Sequence, residues 1–325
     1  MKVPAFWRTR EFAAACVLAA MLAGCEIAAR VNTGTSFLEQ VPRVFRECSF
    51  VGIAAIGAAV VIVSGGVDLS SGAVMKLASV TLAALYVNAG WPAAAALGVG
   101  LLAGAAVGFA NGFLVGTVKL PPFIATLGFL SVARGLSYWI APLSIPLRWE
   151  EKGEGFVGFP LLGEHSFWVM AATGVVASIL MARFSWGRYV YAVGGNEEAA
   201  RYAGLRVDWI KVGVYAVAGL FAAMAGCALS LHYGSANLAV GEGYELQIIA
   251  ACAIGGVSFA GGQGSVAGAL IGAATLQVLR VLLIQLRVGE KYIEIAYGVT
   301  IILAVAVDQL RQRPVLGKWF GRKSA

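Results

Sequence analysis

Apolar runs of about twenty residues recur along almost the whole chain, separated by short polar stretches. As a helix, a run of that length crosses a hydrocarbon core of roughly 30 Å. The pattern predicts ten spans, at about 12–29, 50–64, 70–88, 93–118, 123–141, 166–182, 210–231, 244–259, 266–284 and 293–307. The expected fold is all-α: a polytopic membrane helix bundle of about ten transmembrane helices, with residues 1–325 forming one membrane domain.

Flanking charge orients this bundle. The first tail carries Lys2, Arg8 and Arg10, and the last carries Arg311, Arg313, Lys318, Arg322 and Lys323. Basic flanks stay on the cytoplasmic side. Both termini are therefore expected inside a bacterial cytoplasmic (inner) membrane, which requires an even number of spans. The segment 183–209 is rich in arginine, whereas 142–165 sets Glu150, Glu151, Glu154 and Glu164 against Arg148 and Lys152. Ten spans place the first of these inside and the second outside. Five spans lie on either side of the acidic loop, the arrangement of a 5+5 inverted repeat, because an odd-numbered half enters the membrane the opposite way round.

Composition removes the soluble alternatives. With 59% of residues hydrophobic and 13% charged, a water-soluble fold could not cover its surface. The net charge of +7 falls between spans and at the tails, so it reads as a topology signal and not as a nucleic-acid footprint. Cys16, Cys25, Cys227 and Cys252 lie in apolar stretches and Cys48 near a polar loop, which reads as packing, not a disulfide framework. Leu22-Ala23-Gly24-Cys25 has the form of a lipoprotein cleavage site. Such short matches arise easily in alanine-rich spans, and the segment is read as a retained span.

The 42 glycines are placed, not scattered. Gly100, Gly104, Gly108, Gly112 and Gly116 recur every fourth residue, a flat strip down one face of the fourth span where another helix can approach closely. Gly264, Gly268 and Gly272 are expected to do the same in the ninth.

Charges inside apolar spans mark candidate function, because they are expensive there. In GGVDLSSG (65–72), Asp68 precedes a helix start, either as a cap at the membrane edge or as a substrate or gating residue. Arg134 lies too deep in its span to be a loop residue; Asp68 and Glu245 are its candidate partners, with snorkelling as the other outcome. Lys76 sits about two turns into the third span, facing the bundle interior or water. Asp68, Lys76, Asn111, Arg134, Glu245 and Gln247 are the candidate translocation or gating residues.

Between the sixth and seventh spans, Gly194 and Gly195 break the chain before a short amphipathic stretch with Asn196 as its expected N-cap. Glu197 and Glu198 then fall in the first turn, where the helix dipole favours them. A solvated surface helix and a docking helix fit this pattern equally. No GxxxxGK[ST] cradle for ATP phosphates and no HExxH or CxxC metal or redox motif occurs, and His165 and His232 are isolated. Gly256-Val257-Ser258-Phe259-Ala260 approaches a nucleophile elbow but lacks its last glycine. No catalytic residue, metal site or cofactor is expected in this chain.

Five segments, in order, carry a resemblance: GGVDLSSG, PPFIATLGFLSVARGL (121–136), GRYVYAVGGNEEAARYAGL (187–205), GYELQIIAA (243–251) and IGGVSFAGGQGSVAGALIGA (254–273). Together they resemble the ribose-type branch of the sugar permease family of ABC importers, over about 50–308. The resemblance implies a permease paired with a second permease subunit, a cytoplasmic ABC ATPase that holds ATP and Mg, and a periplasmic solute-binding protein. It also implies that Gly195, Asn196, Glu197, Glu198, Ala199, Ala200, Arg201 and Gly204 belong to a coupling helix docked on the ATPase. The chain departs from the family at Lys76, where members usually carry a small or apolar residue, and at Gln247, where ribose permeases tend to have an acid. The competing class is an ion-coupled secondary transporter, which would want a chain of buried acids beyond Asp68 and Glu245. Among ABC permeases, a non-sugar solute such as a nucleoside is the other alternative.

The orientation is checked with a reporter active only in the cytoplasm. Fusion after Ala199 or at Ala325 is expected to give signal and fusion within 150–154 none; the opposite pattern overturns the orientation.

Overall fold

The computed structural model describes residues 10–34, 36–147 and 160–312, almost entirely helix. In chain order the helices are α1 (Arg10–Thr33), α2 (Val41–Val63), α3 (Ser71–Ala83), α4 (Ala93–Gly116), α5 (Pro122–Ile140), α6 (Pro160–Gly163) and α7 (Ser166–Arg183). There follow α8 (Ser185–Gly195), α9 (Glu197–Tyr202), α10 (Val207–Tyr233), α11 (Tyr244–Ile254), α12 (Val266–Gln285) and α13 (Glu290–Gln312). A π-helical turn, Ala84–Asn88, extends α3. One antiparallel pair, β1 (Ile145–Pro146) with β2 (Ser235–Ala236), ties the end of α5 to the end of α10. The expected charges at 2, 8, 148–154 and 313–323 lie outside the described residues.

Eight helices among the described residues are long and apolar enough to cross a bilayer. The ten-span expectation differs at the eighth and tenth places. In place of a span over 244–259 stands α11, only 11 residues long. At 1.5 Å per residue it covers about 16 Å, half the hydrocarbon core. It stops at Gly255 and Gly256, the latter with φ 81°, and the chain then turns back on itself through 257–264. The tenth, α13, is long enough at 23 residues but carries Glu290, Lys291, Glu294, Asp308 and Arg311. The second span starts nine residues earlier than the polar segment 41–49 suggests. There Arg43 pairs with Glu47 at 3.0 Å, and Gln277 Nε2 donates to Glu47 at 2.7 Å, so the polar turn is satisfied within the bundle.

Helix α2 is buried along nearly its whole length, with α10, α12, α7 and α11 packed around it. By contrast α1, α5 and α7 bury only a narrow face, and Phe123, Ile124, Trp139, Trp168 and Val175 point outward. The outer faces of these helices are apolar because their solvent is lipid. Cys25, Cys48, Cys227 and Cys252 are buried packing residues; Cys48, expected near a polar loop, sits inside α2, and only Cys16 is exposed. Cys25 lies within α1 against α12, its thiol 3.6 Å from the Val278 carbonyl.

Helix partners pair off as a five-plus-five repeat would require. Helix α4 lies on α10 and α12 on α2; α3 lies on α10 and α11 on α2; α3 meets α5 and α11 meets α13. The outermost helices depart from the pattern, since α1 runs along α12 while its counterpart α7 runs along α2.

The glycine strip of α4 is the seam with α10. A β-carbon on Gly108 would collide with the Tyr215 carbonyl oxygen, and one on Gly112 would lie 2.6 Å from Val212 Cα. Gly104 meets the Gly219 carbonyl, Gly116 the Asp208 carbonyl, and Gly100 the Ala78 carbonyl of α3. Gly268 and Gly272 fit α12 against Gly255 and Ala251 at the end of α11 in the same way. Gly264 is not part of that face; it lies in the loop before the Ser265 cap, with φ 131°.

Replacing Gly108 with Leu is therefore expected to cost about 1–3 kcal/mol by overpacking. Replacing Gly98, which has nothing within 4 Å, is the control. Thermal melting of the detergent-purified protein should separate the two; equal melting temperatures would mean the seam is not a backbone contact.

Candidate functional site

Helix α3 begins in a buried polar turn. Asp68 Oδ1 accepts from the Ser70 backbone N–H at 2.8 Å and from Ser70 Oγ at 2.6 Å, while Oδ2 accepts from Ser71 Oγ at 3.2 Å. Asp68 is therefore not the N-cap itself. Ser70 occupies that position, and the carboxylate closes an Asx turn two residues before this N-cap, supplying negative charge where the N-terminal dipole favours it. Asn111 Nδ2 on α4 donates to Ser70 Oγ at 2.9 Å, and the Tyr215 hydroxyl on α10 donates to the Val67 carbonyl at 3.3 Å. The turn is thus held by the two helices of the glycine seam.

The N-terminal ends of α3 and α11 meet. A β-carbon on Gly72 would collide with the Gly241 carbonyl and with Glu245 Oε2. Two ion pairs bracket the meeting point. Lys76 Nζ, whose side chain is fully buried, reaches Glu242 Oε1 at 3.1 Å and lies 5.1 Å from the Tyr138 ring centroid. Arg134 on α5 reaches Glu245 Oε1 at 3.2 Å, so of its expected partners Glu245 is the one it takes. Asp68 is engaged by Ser70 and Ser71 instead. Arg134 Nε, Glu245 Oε2 and Asn111 Oδ1 are buried without a hydrogen-bond partner among the described residues. Such groups are costly in a dry interior, so the centre of the bundle offers polar capacity to water or to a hydroxylated solute. Gln247 is half-buried on α11, two residues and about half a turn beyond the paired Glu245, so it points away from that pair. Beside these residues, at the β1–β2 end, a cavity of about 470 Å³ is lined by Tyr233, Ser235, Asn237, Val240 and Tyr244.

At the opposite end, α9 is capped as its sequence predicts, with Asn196 Oδ1 accepting from the Ala199 N–H at 2.9 Å. A network then fastens it to α10: Lys211 to Glu197 at 2.5 Å, Arg201 to Glu197 at 3.4 Å, Arg201 to Asp208 at 2.9 Å, and Lys119 to Asp208. Burial alone would raise the Glu197 carboxyl, but the hydrogen bonds from Lys211 and Arg201 outweigh it and hold the group below the usual carboxylate range. Ala200 is buried beneath the helix, and Glu198, Ala199, Tyr202 and, on α10, Trp209 are exposed, Tyr202 to 91%. Gly204 closes the following turn with φ 85°.

Of Gly194 and Gly195, expected as a break, Gly194 is instead a tight contact, while Gly195 has open space where a side chain would stand. A β-carbon on Gly194 would collide with the Val63 carbonyl at the end of α2 and lie 2.7 Å from the Gly262 N–H. Gly262 N itself donates to that Val63 carbonyl at 2.8 Å, and the Tyr191 hydroxyl donates to the Gly264 carbonyl at 2.8 Å.

Lys119, Asp208, Lys211, Tyr202, Tyr138 and Glu242 were not among the expected site residues. Glu242, one turn before Glu245 in GEGYELQ, is the one that spacing could have found. Tyr202 stands exposed, and the rest become partners only when separate helices are packed together.

A bundle of membrane-length helices, with paired charges at its centre and an exposed short helix fastened to one end, is a multi-pass membrane transport protein. Residues 41–305 match the family model described as branched-chain amino acid transport system / permease component, and the chain belongs to that permease family. The ribose import permease of Bacillus subtilis (strain 168) is 36% identical over 283 residues, covering 84% of this chain and 86% of the relative. The ribose import permease of Escherichia coli (strain K12) is 35% identical over 303 residues, covering 91% and 93%. The fructose import permease of Rhizobium meliloti is 35% identical over 277 residues, covering 82% and 76%. No solved structure matches. The resemblance to ribose-type permeases is thereby borne out.

The two members of the Lys76–Glu242 pair are not equivalent. Lys76→Met leaves a carboxylate that is 53% exposed and that water can solvate, so the loss is expected to be under about 1 kcal/mol. Glu242→Ala strands a buried ammonium against the Tyr138 ring alone and is expected to cost about 1–3 kcal/mol. Melting temperatures of the two purified variants check the order; the reverse order would mean Lys76 is solvated.

Proposed function

We propose that this chain is the permease subunit of an ATP-binding-cassette importer, carrying a sugar or sugar-like solute through the centre of the bundle. Helix α9 is the element that docks on the cytoplasmic ATPase, which binds and hydrolyses ATP with Mg. A second permease subunit, identical or related, completes the pathway, and a periplasmic binding protein delivers the solute. Both termini and the α8–α9 segment face the cytoplasm of the inner membrane. The family description names branched-chain amino acids, but the relatives that match over most of their length are named for ribose, fructose and autoinducer 2. The polar atoms left open around Arg134, Glu245 and Asn111 suit a polyhydroxylated solute better than an aliphatic side chain.

The observation that carries the docking assignment is the division of labour on α9. Glu197 and Arg201 are spent on holding the helix to α10, while Ala199 and Tyr202 face outward with nothing covering them. A helix anchored so firmly while leaving an aromatic 91% exposed is built to meet a partner.

Charge reversal at both Glu197 and Glu198 would be a poor test, because a lysine at 197 would face Lys211 and Arg201 within the chain itself. Tyr202→Glu and Ala199→Arg touch only the outer face. Both variants are expected to insert and melt like the parent. Co-purification of the ATPase encoded alongside, and solute uptake in vesicles holding ATPase and binding protein, should fall together by about tenfold or more. Unchanged uptake in these variants, or uptake by the parent with no ATPase present, would replace this reading with an ion-coupled transporter.

A further inference from the structure

We infer that glycines from three distant parts of the sequence, Gly65, Gly194 with Gly195, and Gly261 with Gly262, form the joint through which movement of α9 reaches α3 and α11, with Gly194 and Tyr191 as its positioning residues. The inference rests on the reading of α9 as the ATPase-docking helix.

The geometry is a backbone-to-backbone meeting of three segments. Gly194, the penultimate residue of α8, lies against the Val63 carbonyl and the Gly262 N–H, with no room for a side chain. A β-carbon on Gly261 would lie 2.5 Å from the Gly194 carbonyl and 3.0 Å from Gly65 Cα, and one on Gly262 would lie 2.7 Å from Gly195 Cα. Gly65, Gly261 and Gly262 all hold positive φ, at 83°, 80° and 68°, so the backbone there takes a shape that favours glycine. The Gly262 N–H to Val63 carbonyl bond and the Tyr191 hydroxyl to Gly264 carbonyl bond, each 2.8 Å, close the joint on both sides.

Each strand of the joint leads directly to a working element. Asn196, the cap of α9, follows Gly195 without a spacer. Gly65 and Gly66 lead into the Asp68 turn and so to α3, which carries Lys76. On the third strand, the loop holding Gly261 and Gly262 is compact, with Gly261 N–H donating to the Ser258 carbonyl and Ser258 N–H to the Gln263 carbonyl, both at 3.0 Å. It follows the C-terminal end of α11, whose first turn carries Glu245 and whose preceding loop carries Glu242. A push on α9 is therefore delivered through incompressible backbone contact to the two helices whose ends meet at the Lys76–Glu242 and Arg134–Glu245 pairs. A flexible break at Gly194 would absorb that push.

The test compares the parent complex, reconstituted with ATPase and binding protein, with complexes containing Tyr191→Phe and Gly194→Ala. Measured are ATPase co-purification, permease melting temperature, basal ATP hydrolysis, hydrolysis with solute-loaded binding protein, and uptake. Assembly, melting and basal hydrolysis are expected to stay near parent values for Tyr191→Phe. Its binding-protein-stimulated hydrolysis and uptake should both drop about fivefold, with a larger drop, about tenfold, for Gly194→Ala. Parent-like stimulation and uptake in both variants overturns the joint. So does loss of ATPase binding or of melting temperature in Tyr191→Phe, because the contact would then be only structural. If Gly194→Ala does not fold, Tyr191→Phe decides. A parent complex that never binds the ATPase sinks the docking assignment itself, a result distinguishable from failure of the joint alone.

Discussion

Close approach of backbone to backbone, permitted by glycine, is the constraint on which the rest of this structure depends. Lipid tails are as apolar as the helices, so no hydrophobic force drives helix against helix inside a bilayer, and dispersion at short range must serve instead. Along the α4–α10 seam, Gly104, Gly108, Gly112 and Gly116 bring the helix surface onto the carbonyls of Gly219, Tyr215 and Asp208 and onto the backbone of Val212. That seam places Asn111 and Tyr215 on either side of the 65–70 turn, and the turn sets where α3 begins. The same device at Gly268 and Gly272 positions α11 on α12.

Two helices that begin at the centre of a bundle create an electrostatic problem, because their N-terminal dipoles both present positive potential to one another. Carboxylates answer it. Asp68 closes the turn before α3, and Glu245 stands in the first turn of α11 with Glu242 just ahead of it. Lys76 and Arg134 then neutralise the two glutamates, and they do so from α3 and α5, so that three segments are tied at one place. The ties are polar and incompletely satisfied, which suits a path that must admit a hydroxylated solute and then release it.

The α8–α9 end follows the opposite logic, with five charges between α9 and α10 used for fastening. Glu197, Arg201, Asp208, Lys211 and Lys119 form one network that fixes α9 on α10, and the side chains left over face away. Rigidity at the base of α9 and exposure at its outer face are what the proposed docking role needs, since a loosely held helix could not transmit a partner's movement.

Much of this was legible in the amino-acid sequence, for identifiable reasons. Apolar run length sets which segments can cross a bilayer, and the four-residue glycine period marks the α4 face that meets another helix. Asn196 before two glutamates is sufficient for an N-cap, because these rules are local, reaching one helical turn. The length of α11 was not legible: the 16 apolar residues 244–259 read as a span, and only the packing of Ala251 and Gly255 against Gly268 and Gly272 shows where the helix stops. Nor could the sequence say that Gly194 is wedged and not free, that Lys76 finds Glu242 across 166 residues, or that Glu197 is consumed by Lys211. Those depend on which helix faces put distant residues within a few ångströms of each other. A one-dimensional pattern holds the period of a face but not the identity of what lies against it, so pairing, depth and strain were decided by the tertiary structure alone.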